Sequence, residues 1–180
     1  MKLRLAYYGD PILRKKCERI EEITDELKQL VKDMEETMNA HDGIGLAAPQ
    51  VHRSIALFIV NIPKQVGPNE WVPGRTHVFI NPKILDYSEE EWLRGEGCLS
   101  IPDVYGTVNR PLKIKVEATD INGKQFVEEF SGTEARAILH ENDHINGVLF
   151  IDRVRGKERQ EIEHALRLLK KKLSAKAVKK

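Results

Sequence analysis

Apolar positions along the chain follow two rhythms. After Thr24, the residues Leu27, Leu30, Val31, Met34 and Met38 recur at helical spacing, so a helix is expected there, ending before Gly43. SIALFIVN (54–61) and HVFIN (77–81) are apolar runs of strand length, and the Pro/Gly-rich IPKQVGPNEWVPGRT between them predicts a loop. LKIKVEAT (112–119) alternates Leu112, Ile114, Val116 and Ala118, which gives a strand with one wet face. DINGK then supplies an Asn-Gly turn into QFVEEF, the signature of a hairpin.

Helical spacing returns after that hairpin. Ser131 and Glu134 have capping-box spacing and open a helix containing ILHENDHING, which Asn146-Gly147 suits as an ending. A last helix runs from about Gly156 with Ile162, Ala165, Leu166, Leu169 and Leu173 on one side. The pattern predicts a single α+β domain: antiparallel or mixed strands around a central ligand-bearing helix, with N- and C-terminal helices. No repeat or low-complexity segment interrupts it.

Composition narrows the class of protein. At 180 residues one core is sufficient, and 41% hydrophobic with 32% charged residues describes a soluble globular chain. A net charge of +1 gives no global case for binding DNA or RNA. No apolar run approaches the ~18 residues of a membrane span. MKLRLAYYGDPILRKK lacks both the apolar stretch and the cleavage site of a signal peptide. Two cysteines, Cys17 and Cys98, are too few for a disulfide framework, so a reduced, cytoplasmic setting is expected.

Three short stretches carry candidate chemistry. In HENDH, His140 and His144 stand four apart on one helix face, a spacing at which two imidazoles hold one divalent metal with Glu141 beside them as acid or base. The alternative is a pair of histidines satisfied by hydrogen bonds near a helix end. In RGEGCLSIP (94–102), Cys98 reads either as a small buried hydrophobe or as a thiolate ligand; Cys with two His is a known ligand set that leaves one position open to water. In GIGLAAPQ (43–50), Gly43 and Gly45 permit close backbone approach to a ligand, and Gln50 offers an amide that can polarise a carbonyl. A helix-stop turn accounts for those glycines equally well.

Taken together, GIGLAAPQ, EGCLS and HENDH resemble the three motifs of the peptide deformylases in order and spacing, and YYGDPILRKK resembles that family's N-terminal segment. The resemblance spans about residues 5 to 155. It implies a hydrolase that removes the formyl group from the N-terminal formylmethionine of newly made polypeptides, releasing formate. By the same resemblance Cys98, His140 and His144 hold one metal ion per chain, usually Fe2+, with Zn2+, Ni2+ or Co2+ as substitutes. Gln50 and the backbone N–H of Leu99 then stabilise the oxyanion, and Glu141 moves the proton. Gly45 and the segment Gly97 to Leu99 would hold the substrate backbone. Ile44, with Ile138 and Leu139, would line the methionine pocket. Leu139 and Tyr105 depart from residues that relatives carry, which bears on peptide preference. Asp143 is expected to pair with Arg110 and orient the helix.

The resemblance divides the chain into a catalytic domain over 1–156 and a basic C-terminal helix and tail over 157–180. From Ala165 to Lys180 there are seven Lys/Arg and no acid. In one subtype of the family such a helix docks on the ribosome, which makes the ribosome a second expected partner beside the formylated nascent peptide. Two other readings compete. A zinc peptidase would need a downstream ligand, and only His164 lies beyond the motif. A metal-free ribosome-associated binding module would use the tail alone.

Overall fold

The computed structural model describes residues 1–178; Lys179 and Lys180, the end of the basic tail, lie outside the described residues. The elements in order are α1 (Asp25–Ala40), β1 (Gly45–Ala47), β2 (Leu57–Val60), β3 (Lys64–Gly67), β4 (Glu70–Val72), β5 (His77–Tyr87), β6 (Glu91–Cys98), β7 (Ile101–Pro111), β8 (Lys113–Thr119), β9 (Gln125–Ser131), α2 (Gly132–Ile145) and α3 (Gly156–Val178). Strands β1, β2, β5, β8 and β9 form one sheet in that order, with β6–β7 and β3–β4 as separate hairpins. All named pairings are antiparallel. No helix among the described residues is long and apolar enough to cross a membrane.

Local sequence explains the elements that were expected. The Thr24 side chain accepts from Leu27 N–H at 3.2 Å and caps α1, whose Leu27, Val31, Met34 and Met38 are buried against β1 and β2. Along β8 the alternation holds: Ile114, Val116 and Ala118 are buried while Lys113 and Lys115 are exposed. The turn into β9 closes with Asp120 Oδ1 accepting from Asn122 and Lys124 N–H, both at 2.9 Å, and Gly123 at φ +83°. Helix α2 lies on the sheet, and its Ala135, Ile138, Leu139 and Ile145 join Phe58, Phe79 and Phe130 in one cluster. It is the central helix of the fold.

Four expectations need correction. The segment read as loop holds the β3–β4 hairpin, which has no buried residue and therefore no core periodicity to signal it. HVFIN is only the first part of β5, which continues to Tyr87. Ser131 sits at the N-cap of α2 but its hydroxyl makes no capping bond; Gly132 at φ +63° makes the turn into the helix instead. On α3, Leu166 is buried and Ile162 and Leu169 pack beside it, whereas Ala165 faces solvent.

Candidate metal and active site

Helix α2 and the β6–β7 hairpin converge on one point. Cys98 ends β6, His140 and His144 stand one turn apart on α2, and one ligand atom from each lies within 4.8 Å of the other two. Cys98 Sγ is 3.3 Å from His144 Nε2. Ligand atoms around a tetrahedral ion, at bonds of about 2.3 Å to sulfur and 2.0–2.1 Å to nitrogen, stand about 3.5 Å apart. The Cys98–His144 separation matches that spacing, the third ligand atom lies within 4.8 Å of both, and one cysteine with two imidazoles suits a divalent ion with a position left open to a further ligand. His140 Nδ1 donates to Glu96 Oε1 at 2.8 Å, so its Nε2 is turned to the same point, and its ring stacks on buried Phe150 at 6.0 Å.

Glu96 is the residue that sequence reasoning missed. Buried on β6, it accepts from Arg110 Nε and Nη2 at 2.7 and 2.9 Å, from Arg136 Nη1 at 2.6 Å, and from His140. Burial opposes its ionisation, yet hydrogen bonds from Arg110 and His140 hold its carboxyl well below the usual carboxylate range. The signal was available: Glu96 and Cys98 are two apart on a strand and so share a face. Arg110 Nη1 also donates to Asp143 Oδ2 at 3.0 Å, the pair expected from the sequence, and Arg153 donates to both Asp143 oxygens at 2.6 and 2.7 Å. This network fixes α2 against β6–β7.

Glu141 faces the centre from the same helix. Burial pushes it up to about 7, and its Oε2 is buried with no hydrogen-bond partner among the described residues. His144 is lowered well below its ordinary value, first by burial and then by His140, and so is a neutral imidazole suited to ligation. For His140 burial acts the other way from Cys98 and Glu96, whose hydrogen bonds raise it well above its ordinary range. A metal held by His140 would take the place of that proton.

GIGLAAPQ supplies the opposite wall. A Cβ on Gly45 would lie 2.9 Å from both Cγ and Cδ of Glu141, so only glycine fits. Gln50 is buried; its Oε1 accepts from Ala47 N–H at 2.9 Å, which turns its NH2 toward Cys98 Sγ (3.4 Å) and Ser100 Oγ (3.2 Å). Ser100, fully buried, is a second residue the sequence did not flag. Leu99 packs over Gly43, and Tyr105 lays its ring across Gly97, where a Cβ would meet ring carbons at 2.8 and 2.9 Å.

Ile44, Gly45, Gln50, Gly97, Cys98, Leu99, His140 and Glu141 all line one cavity. Leu139 and Ile138 do not. The face of α2 turned to the cavity is Thr133, Arg136, Ala137, His140 and Glu141, at helical spacing, and this places Leu139 in the core at 6% exposure. Ala137 takes the place that sequence reasoning gave to Leu139.

A partly buried triangle of one cysteine and two histidines, sharing a cavity wall with an acid and an amide, is the arrangement of a metal-dependent hydrolase. Comparison with known proteins agrees. Residues 2–160 match the polypeptide deformylase family. Peptide deformylase 1 of Clostridium perfringens is 47% identical over 148 residues, covering 82% of this chain and 95% of that protein. The crystal structure of a plant peptide deformylase superposes with a TM-score of 0.88 at 41% identity, covering 97% of this chain and 92% of that one. A peptide deformylase from Acinetobacter baumannii with bound Met-Ala-Ser gives 0.79 at 36% identity, covering 86% and 99%. The chain belongs to the polypeptide deformylase family, metal-dependent hydrolases that remove the formyl group of N-formylmethionyl peptides.

Proposed function

We propose that this chain deformylates nascent polypeptides through Cys98, His140, His144, Glu141, Gln50 and Leu99, with residues 1–156 as the catalytic domain. The observation that carries the assignment is the convergence of the three ligand atoms, within 4.8 Å of one another, beside a buried, unpartnered Glu141 oxygen. Iron(II) is the proposed native ion, with zinc, nickel or cobalt as substitutes; one thiolate with two imidazoles accepts any of them. When bound, the ion supplies Lewis acidity, acidifying water and polarising the formyl carbonyl.

The chain's own groups do the rest. Glu141, raised to about 7, accepts a proton from water during attack and returns it to the departing amine nitrogen, because its affinity for the proton suits both directions near neutral pH. The NH2 of Gln50, oriented in advance because Oε1 accepts from Ala47 N–H, donates to the developing oxyanion together with the N–H of Leu99. Glu96 holds His140 in the ligating tautomer. The backbone of Gly45 and Gly97, both lining the cavity, flanks the substrate peptide, and Ile44 with Ala137 gives methionine an apolar wall.

A nascent-chain substrate suits a cytoplasmic enzyme, and the basic C-terminal helix and tail over 157–180 is the proposed contact to the ribosome. Release of formate from formyl-Met-Ala-Ser by the metal-loaded protein tests the activity. Absence of formate with a fully loaded centre contradicts it.

A further inference from the structure

The cavity that contains Cys98 and His140 continues past the metal centre. It follows the N-terminal residues Tyr7 to Pro11 as far as α3, where Leu169, Lys170, Lys172, Leu173 and Lys176 line it. Its volume is about 1600 Å³, above the ~300–1,000 Å³ usual for a small-molecule pocket. A formylmethionyl group leaves the far part unfilled. The stem of Lys170 is seated there, its Cγ 3.6 Å from where a Cβ of Gly9 would stand.

Charge is distributed unevenly along this groove. The ion pairs of α3 lie in its first half: Lys157–Glu161, Arg159–Glu163 and Arg167–Glu163. Among the described residues no ion pair engages Lys170, Lys172 or Lys176, and residues 165–180 contain no acid. Of the cavity's acids only Asp10 adjoins Gly9, against which Lys170 packs, and the others lie elsewhere. Asp10 faces His52 at 3.6 Å, Asp42 adjoins Gly43 at the catalytic end, and Asp103 lies close to Tyr105, which covers Gly97.

We infer that this lysine wall binds the downstream stretch of the substrate polypeptide and favours acidic residues several positions beyond formylmethionine. The inference rests on the deformylase reading. Continuity of the groove identifies the occupant: an extended chain advances ~3.3–3.6 Å per residue, so the polypeptide leaving the metal centre is the first material to reach α3. Leu169 and Leu173 among the lysines give apolar contact suited to peptide side chains rather than to a phosphate backbone. The protein's net charge of +1 is too small to select acidic chains by bulk attraction.

The test compares formyl-Met-Ala-Ser with two longer peptides that share this start and carry a run of glutamates or of lysines after it. We expect kcat/KM for the glutamate peptide to exceed that for the lysine peptide by about 3- to 10-fold, through KM, since exposed charge pairs are individually weak. High salt should abolish the difference without any variant. Replacing Lys170→Gln, Lys172→Gln and Lys176→Gln together should also abolish it, with turnover of formyl-Met-Ala-Ser unchanged. Equal values for the two long peptides overturn the inference, as does a difference that survives the triple variant. A short RNA oligonucleotide that displaces the glutamate peptide at lower concentration than the peptide itself assigns Lys170, Lys172 and Lys176 to the ribosomal contact proposed for this helix instead, and also overturns the inference. Failure to turn over any of the three contradicts the deformylase reading instead.

Discussion

Replacing Glu96 by glutamine keeps the volume of the side chain but removes the charge on which four donors converge. Two come from Arg110 at 2.7 and 2.9 Å, one from Arg136 at 2.6 Å and one from His140 at 2.8 Å. The amide retains one acceptor oxygen and turns an NH2 toward the remaining donors. At least two charge-assisted bonds are lost, at about 1.5–3 kcal/mol each. Arg110 and Arg136, both buried, then face an uncompensated charge, a loss of about 3–5 kcal/mol when one partner of a buried pair is removed. Asp143 still pairs Arg110, so the lower half of that range applies. For a domain of this size each kcal/mol shifts Tm by about 2–4 °C, and the expected fall is about 10 °C. His140 also loses the acceptor that fixes its tautomer, and metal affinity should fall about 10- to 100-fold. Thermal unfolding of the metal-loaded protein and competition against a chromophoric chelator measure the two effects. A variant with Tm within about 2 °C of the parent and unaltered affinity would refute the role given to Glu96.

Three further outcomes are expected. Glu141→Gln should retain metal yet lose about 10²–10⁴ in kcat, because an amide cannot shuttle the proton; loss of metal instead would make Glu141 structural. Gly45→Ala should cost about 10²-fold in kcat with little change in Tm, since its Cβ displaces the Glu141 carboxylate, and an unaltered kcat would show that Glu141 tolerates the shift. Formyl-Met peptides should exceed formyl-Asp peptides by at least about tenfold in kcat/KM, because the wall of Ile44 and Ala137 offers a carboxylate no partner; equal values would place the side chain in solvent.

The parts of the fold legible in the sequence are those whose buried positions are apolar. Helix α1 shows its core face as Leu27, Val31, Met34 and Met38, and β8 shows Ile114, Val116 and Ala118. The β6–β7 hairpin was not legible because its inward positions break the apolar rule. On β7 the buried series is Val104, Gly106, Val108 and Arg110, and on β6 the buried residue is Glu96. Gly106 is small because Val154 and Phe150 pack against it, and Arg110 and Glu96 are there to orient the helix. A hairpin built to support a metal site therefore looks polar in sequence. At the site itself, spacing alone made His140, Glu141 and His144 candidates, whereas Cys98 and Gln50 depended on motifs lying far apart in the chain. Placing Leu139 in the pocket failed because adjacent residues on a helix point about 100° apart, and the phase is set by His140.

The central claim is that Cys98, His140 and His144 together hold the ion on which deformylation depends. Metal content and formate release should therefore be measured on the same protein, prepared without oxygen, for the parent chain and for Cys98→Ala. The account predicts close to one divalent ion per parent chain with formate released from formyl-Met-Ala-Ser, and loss of both in the variant. Full metal content in Cys98→Ala, or formate release from protein stripped of metal, would contradict it.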